Sequence, residues 1–556
     1  MQFWQLIFSI ILVACFWLCF KLAKNFIAAR KFGLPILVTP IGIFNPLWLT
    51  GFRLFTPILK CLPFGLGNFV DASGNTWFFP NRFRHHARLG PAFVIATPTE
   101  VQLILADPDA VNEVLAKRKN FIKDFDTIRP FLDIFGPNVV TAGNDTWPRH
   151  RRLTTPPFKE AQSSFVWREA LAQSVSMVKL WMSKRRDGVE DSPSDIMTLT
   201  LHVLISVGLG KTYDFDGGTR DLDENHTQSY REALQTILEN LLVVFLTKTI
   251  PFPTIALPAS LRKVKDSVRE LKDYMSEMMA EQRLATHKPD AVAKDNLMSV
   301  LLKASESKGD DGRSILSDEE IFGNLFIYNF VGHDTTANTL LYCLYLLSVH
   351  PEIQEWIREE IAVVFHDIDV QDWEYEKAFP RLTRCLALMH ETLRLYPPVV
   401  AHPRHTGNSH QTLAIRDNTY SIPPKTVILL NVVALNTLPE YWGSDSLSWR
   451  PKRWISQEKD SGSLADEQLF QPREGVYTPF ASGPRVCPAK KFAQVEFVAV
   501  IAQLFRKHRC SPIQLQGEST SESRKRVLRV IEDSNVLNTL KMLHPERVRL
   551  RWEKVA

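Results

Sequence analysis

The chain has 556 residues, 45% hydrophobic and 23% charged, with a formal net charge of +5, the profile of a globular protein. Mild basicity suits an acidic partner or a membrane surface and is too weak to indicate nucleic acid. Seven cysteines (15, 19, 61, 343, 385, 487 and 510), with no CxxC pair and no regular spacing, exclude a disulfide framework and fit a reducing compartment.

In chain order, the first element is the apolar run Phe3 to Phe20, interrupted only by Gln5 and Ser9. As a helix it spans roughly 27 Å, enough for a bilayer core. No Lys or Arg precedes it, whereas Lys21, Lys24, Arg30 and Lys31 follow, which places the remainder in the cytosol. A cleaved signal peptide would carry a basic start and a small-residue cleavage site, and both are missing. Residues 1–22 are therefore expected to be a single transmembrane anchor. The following GLPILVTPIGIFNPLWL, broken by Pro35, Pro40 and Pro46, reads as a hinge that touches lipid, within a membrane-proximal segment 23–60. No linker divides the rest, so 61–556 is expected to be one domain, mainly α with small β-sheets.

Within that domain, 92–106 reads as a strand followed by a short helix, and 145–305 as mostly helical. Ser317 and Glu320 form a capping box for a helix running to Ser348, long enough to cross the domain. LTRCLALMHETLRLY (382–396) is a helix stopped by Pro397 and Pro398. TYSIPPKTVILLNVVAL (419–435) reads as strand pairs and VRLRW (548–552) as a late strand, with 456–468 and 514–526 as polar loops.

The chemistry concentrates in FASGPRVCPAKKF (480–492). Gly483 permits a tight turn and Pro488 suits the first turn of a helix, so Cys487 sits near a helix N-terminus, where amide groups and the dipole stabilise a thiolate. Arg485 adds a cation suited to a carboxylate, and Phe480 shields the sulfur. A shielded thiolate beside a cation on an α-rich scaffold suggests haem iron.

Phe480, Gly483, Arg485 and Cys487 resemble the haem-binding loop FxxGxRxCxG of the cytochrome P450 superfamily, with Ala489 in place of the last glycine. Three further stretches match in the family's order. ETLRLYPP resembles ExxR, with Glu391 and Arg394 on one helical face, and WRPKRW (449–454) resembles FxPxRF, with Arg453 as third partner. There Trp449 and Trp454 stand for Phe, expected to be without consequence, and Lys452 stands where Glu is common. FVGHDTTA (330–337) resembles the oxygen-activation segment. In it Gly332 lets a flat ligand lie against the helix, Asp334 and Thr335 supply an acid and a hydroxyl for proton delivery, and Val331 replaces the usual Ala. WPRHRR (147–152) resembles WxxxR, whose Trp147 and Arg151 reach a haem propionate, as does Arg404.

The resemblance implies a cytochrome P450 fold holding haem b through Cys487. It implies a monooxygenase inserting one oxygen atom of O2 into an apolar small molecule. Electrons would come indirectly from NADPH through NADPH–cytochrome P450 reductase, with cytochrome b5 as a second donor. The place would be the endoplasmic reticulum membrane, with the catalytic domain in the cytosol. CPAKKFAQVEFVAVIAQLF resembles fungal members, which often act in secondary metabolism. Substrate-lining segments are expected at 125–140, Phe326–Val331, Val399–His402 and 534–538. The rival readings are a reductase-independent haem-thiolate isomerase or dehydratase, which would not need Asp334 and Thr335, and a non-catalytic membrane haem or lipid binder. His402, His405 and His410 lack an accompanying Cys or acid and are not read as a zinc site. The glycosylation sequon at Asn144 would stay unused in a cytosolic body.

Overall fold

The computed structural model describes residues 2–42, 45–74, 77–123, 125–184, 188–222, 224–249, 258–286, 296–308, 315–366, 368–457, 464–536 and 538–555. Helices dominate, and those used below are α1 (Gln2–Arg30), α2 (Pro46–Lys60), α3 (Trp147–Thr154), α4 (Ser163–Ser183), α5 (Ser192–Leu209), α6 (Tyr230–Glu239), α7 (Asp318–Ser348), α8 (Thr383–Leu395), α9 (Lys490–Arg506) and α10 (Thr520–Glu532).

α7 is the axis of the fold. Ser317 Oγ accepts from the Glu320 amide at 3.2 Å while Glu320 Oε2 accepts from the Ser317 amide at 3.0 Å, and Asp318, Glu319 and Glu320 place negative charge where the helix dipole favours it. Its 31 residues are buried along most of their length, so it is apolar on nearly every face, as a core helix must be. It packs along α5, while α9 packs along α4 and touches α8, and these contacts join into one large core.

The main sheet has five strands in the order β1 (Ile36–Val38), β2 (Ala92–Ala96), β3 (Val101–Leu105), β7 (Val427–Asn431), β4 (Ala401–His405). β1 is parallel to β2 and β3 to β7, while β2–β3 and β4–β7 are antiparallel. Four two-stranded sheets complete the β part: β5 (Gln411–Ile415) with β6 (Asn418–Ile422), β8 (Ile455–Gln457) with β9 (Glu467–Leu469), β10 (His508–Pro512) with β13 (Leu550–Lys554), and β11 (Ser534–Val536) with β12 (Leu540–Met542).

Five sequence expectations change. Residues 101–105 form β3 rather than a helix, because a short apolar run covered on both faces has no period that separates strand from helix. The two strands of 419–435 pair elsewhere, β6 with β5 and β7 with β3 and β4, and residues 432–437 turn helical. The segment 514–526 is not all loop: Ser519 and Glu522 form a capping box for α10, which buries Ser523, Val527, Val530 and Ile531 among its charges. Of the loop 456–468, residues 458–463 lie outside the described residues, and strands β8 and β9 flank them. The expected hinge is largely structured. α1 continues to Arg30, Ile36–Val38 joins the sheet, and Pro46 opens α2.

Candidate active site

The loop before α9 is closed by a bond from the Cys487 amide to the Phe480 carbonyl at 2.9 Å. Gly483 has φ +68, and a Cβ there would stand 2.7 Å from the Leu115 carbonyl oxygen, so both conformation and approach require glycine. Pro488 and Ala489 form a turn, so Cys487 lies three residues before the first helical residue, Lys490, rather than at the first turn. Burial pushes the Cys487 thiol up, while the Ala489 amide, Arg151 and Lys490 oppose that rise. Ala489 itself packs against the core, and the Phe480 ring lies 6.0 Å from Lys490 Nζ.

Next to this loop is a crowd of cations. Arg485 lies 4.6 Å from the Trp147 ring centre and donates to the Ala142 carbonyl at 3.2 Å, and Arg118 lies 5.0 Å from the same ring. Burial, then Arg404, Arg118 and Arg151, push the Arg485 guanidinium down to about 10, and burial alone does the same to Arg404. Lys123 belongs to the cluster too: burial, then Arg485 and Arg404, push its ammonium down to about 7. Sequence reasoning passed over Lys123, which sits in FIKDF with no motif to mark it. Trp147, Arg151, Arg404 and Arg485 were expected together, and they converge. A buried Arg404 with half-buried Arg485, Arg151 and Lys123 around it fits a ligand with carboxylates, and the half-buried Cys487 thiol beside them fits a metal complex. The donor set therefore suits haem.

On α7, Val331 is exposed and Thr335 half-buried, and Thr335 Oγ1 donates to the Val331 carbonyl at 2.9 Å. Tyr328, seven residues before Thr335 and hence on the same face, feels the charge of Cys487. Gly332 is not on it. A Cβ there would meet Leu204 Cδ2 of α5 at 2.8 Å, so the glycine serves the close approach of two helices and not, as expected, of a flat ligand. Asp334 also departs from Thr335: its Oδ2 accepts from Thr539 Oγ1 at 2.5 Å, beside the β11–β12 hairpin. Asp334 and His333 line a cavity of about 550 Å³ bounded by α5, α6, α7 and β12, with Arg231, Asn338 and Lys541 on its walls.

The Glu391 carboxylate is fully buried and accepts five bonds. Arg394 gives two at 2.8 Å, Arg453 Nε one at 3.0 Å, the Arg450 amide one at 2.7 Å and Trp454 Nε1 one at 2.9 Å. Trp454 therefore matters, contrary to expectation: phenylalanine has no donor for this place. Trp449 likewise donates to Thr392 Oγ1 at 3.3 Å.

Other expected residues fall outside the site. His150 is buried between Glu320, at 3.2 Å, and Asn324, at 3.0 Å, so it holds α3 to α7 and is closed to a partner. His402 is buried against the Thr478 carbonyl at 3.1 Å, and no metal-holding cluster occurs among the described residues. Of the substrate-lining segments, Val331 and Val399 are exposed, whereas Phe326 and Phe330 are buried core.

A family model for cytochrome P450 matches residues 62–537. A cytochrome P450 monooxygenase of Arthrobotrys oligospora is 27% identical over 555 residues, 93% of each chain. A cytochrome P450 monooxygenase of the phomenoic acid biosynthesis cluster of Leptosphaeria maculans is 27% identical over 570 residues, 94% of this chain and 95% of that protein. A crystal structure of a cytochrome P450 overlays with a TM-score of 0.65 at 18% identity, covering 85% of this chain and 97% of the other, which shows the fold.

Proposed function

The chain belongs to the cytochrome P450 family, and from that premise we propose how its own residues serve a monooxygenase. Family membership implies a haem–thiolate cofactor, which supplies the reductive activation of O2 when bound. One oxygen atom enters a C–H bond of the substrate, and the other leaves as water with two electrons and two protons.

In this reading Cys487 is the iron ligand and Phe480 shields it. The Cys487–Phe480 backbone bond and the Gly483 turn hold the sulfur in place. Arg151, Arg404, Arg485 and Lys123 would neutralise the two carboxylates of the cofactor, with Trp147 packed against Arg485. Thr335 presents its hydroxyl on the face of α7 shared with Tyr328. Asp334, held by Thr539 at the cavity behind α7, would have to leave that bond to hand a proton toward Thr335. Glu391, Arg394 and Arg453 brace the chain around the loop. The single observation that carries the reading is the gathering of Arg118, Arg485 and Trp147, with Arg404 and Lys123 near them, beside the loop that bears Cys487.

The exposed Val331 and Val399 favour an apolar small molecule, and the relative from the phomenoic acid cluster favours a secondary metabolite. Electrons come from NADPH–cytochrome P450 reductase, with cytochrome b5 as a second donor. α1, apolar and exposed between Trp4 and Phe20 wherever its side chains are described, anchors the chain in the endoplasmic reticulum membrane.

The experiment is the difference spectrum of the reduced, CO-bound protein in membranes, for the parent and Cys487→Ser. A far-red Soret band in the parent, absent from the variant, is the expected result. An ordinary haem band in both sinks the thiolate assignment. NADPH consumption with reductase then separates the monooxygenase from an isomerase, a dehydratase or a passive binder.

A further inference from the structure

The cavity behind α7 is walled like a ligand site. Met197 and Leu201 of α5, Leu234 and Leu238 of α6, and Leu341 of α7 line it, residues four apart on a helix sharing one face. Its volume of about 550 Å³ is that of a small-molecule pocket. Gln235, Glu239 and Glu546 on its rim are exposed, which gives it a mouth.

The charges on its walls are unevenly satisfied. Each acid already has a donor: Asp334 receives Thr539, Glu239 receives Gln235 at 2.8 Å, and Glu546 faces His544 at 3.2 Å. The two cations have no acid. Arg231 gives its guanidinium to two neutral hydroxyls, Thr198 at 2.6 Å and Ser194 at 3.0 Å. Asp195, whose charge Arg231 feels, is held instead by Arg220 at 2.7 Å and Trp181 at 2.8 Å. Burial, then Arg220, push the Arg231 guanidinium down to about 10. Lys541 makes no side-chain hydrogen bond or ion pair among the described residues. Burial pushes the His333 ring down, so it adds no charge near neutral pH. A largely buried cation met only by neutral acceptors gains from an incoming anion.

We propose that this cavity binds an amphipathic monocarboxylate, a free medium-chain fatty acid, with its carboxylate drawn to Arg231 and Lys541 and its chain along the leucine walls. Asp334 faces the same cavity, so an occupant sets a second negative charge and an apolar chain before that acid. The occupant slows any proton supply through Asp334 without entering the side of α7 that bears Thr335. That consequence rests on the monooxygenase reading; the binding does not.

The test uses the full chain in phospholipid nanodiscs and a decanoic acid carrying an aliphatic diazirine on its chain. Photolabel should fall on α5 within 193–201 and be competed by unlabelled decanoate. Half-saturation should rise at least ~tenfold in Arg231→Gln and in Lys541→Gln, the loss of one charged contact. The matching diazirine alcohol, which needs no variant, should show the same loss on the parent protein. The CO-bound band of each variant checks that its fold is kept. No competed label on α5 overturns the site. Equal half-saturation for acid and alcohol, or parent-like values in both variants, overturns the carboxylate assignment. A parent without the far-red CO-bound band sinks the monooxygenase reading and leaves the labelling result standing.

Discussion

Thr539 donates a 2.5 Å hydrogen bond to the Asp334 carboxylate, joining residues 205 positions apart and turning the acid away from Thr335, its neighbour in sequence. The acid and the alcohol thus address different compartments. The hydroxyl is bonded back to the Val331 carbonyl on another side of α7, and the carboxylate faces the cavity bounded by α5, α6 and β12.

If Asp334 relays protons from that cavity, Asp334→Asn slows reductase-driven oxygen consumption by ~10²-fold and enlarges its D2O effect. Thr539→Val keeps the carboxylate but frees it, so the rate changes less and the D2O effect moves without loss of the CO-bound band. Identical D2O effects in parent and Asp334→Asn would remove the acid from the path.

The cation cluster predicts how firmly the cofactor is held. Lys123→Met and Arg404→Ala each delete one charged donor, a loss of about 1.5–3 kcal/mol. Haem transfer to apomyoglobin should accelerate by ~10- to 100-fold, with the position of the CO-bound band preserved. Unchanged transfer from Lys123→Met would leave that lysine outside the seat.

Around Glu391 the ranking of substitutions is set by what each leaves behind. Arg453→Ala strands a buried carboxylate and should cost about 3–5 kcal/mol. Trp454→Phe removes one bond to a charged acceptor and should cost about 1.5–3 kcal/mol, with the ring packing kept. Urea unfolding followed by the haem band checks the order, and a neutral Trp454→Phe would contradict it.

A pH effect is expected far from the site. His226 lies between Glu270, at 2.9 Å, and Glu277, at 3.1 Å, and stacks on Tyr274 at 3.5 Å. Burial works against the charged ring, but the bonds to Glu277 and Glu270 outweigh it and hold His226 above its ordinary 6.5; burial likewise works against the Glu270 carboxylate, but bonds from Thr227 and His226 outweigh it and hold Glu270 below 4.5. The His226 contribution is complete below pH 6.5 and is lost as pH rises through the raised folded value. The Glu270 contribution is lost as pH falls through its depressed value. Protection factors for amide exchange around residues 224–229, corrected for the intrinsic base-catalysed rate, should therefore fall on the alkaline side, and His226→Gln should abolish that dependence.

The sequence was most readable where a side chain's role follows from its own neighbours. The Ser317–Glu320 cap, the closed turn at Gly483 and the pairing of Glu391 with Arg394 are all local. It was least readable where a role depends on what comes from elsewhere. Gly332 is small for Leu204 on another helix, Trp454 is a donor only because Glu391 is beneath it, and Lys123 matters because Arg404 and Arg485 arrive beside it. Helix α10 was missed because its buried residues are scattered among charges, and β3 because five apolar-rich residues have no distinguishing period.

The cap of α7 reaches further than its own helix. Glu320, which receives the Ser317 amide, also receives Arg149 and His150 from α3, and Asn324 one turn on bonds His150 from the other side. One carboxylate therefore starts the central helix and locks the short helix that bears Trp147 and Arg151. The cofactor seat is thereby mechanically tied to the first turn of α7, so that loosening the start of the central helix loosens the cradle for the ring as well.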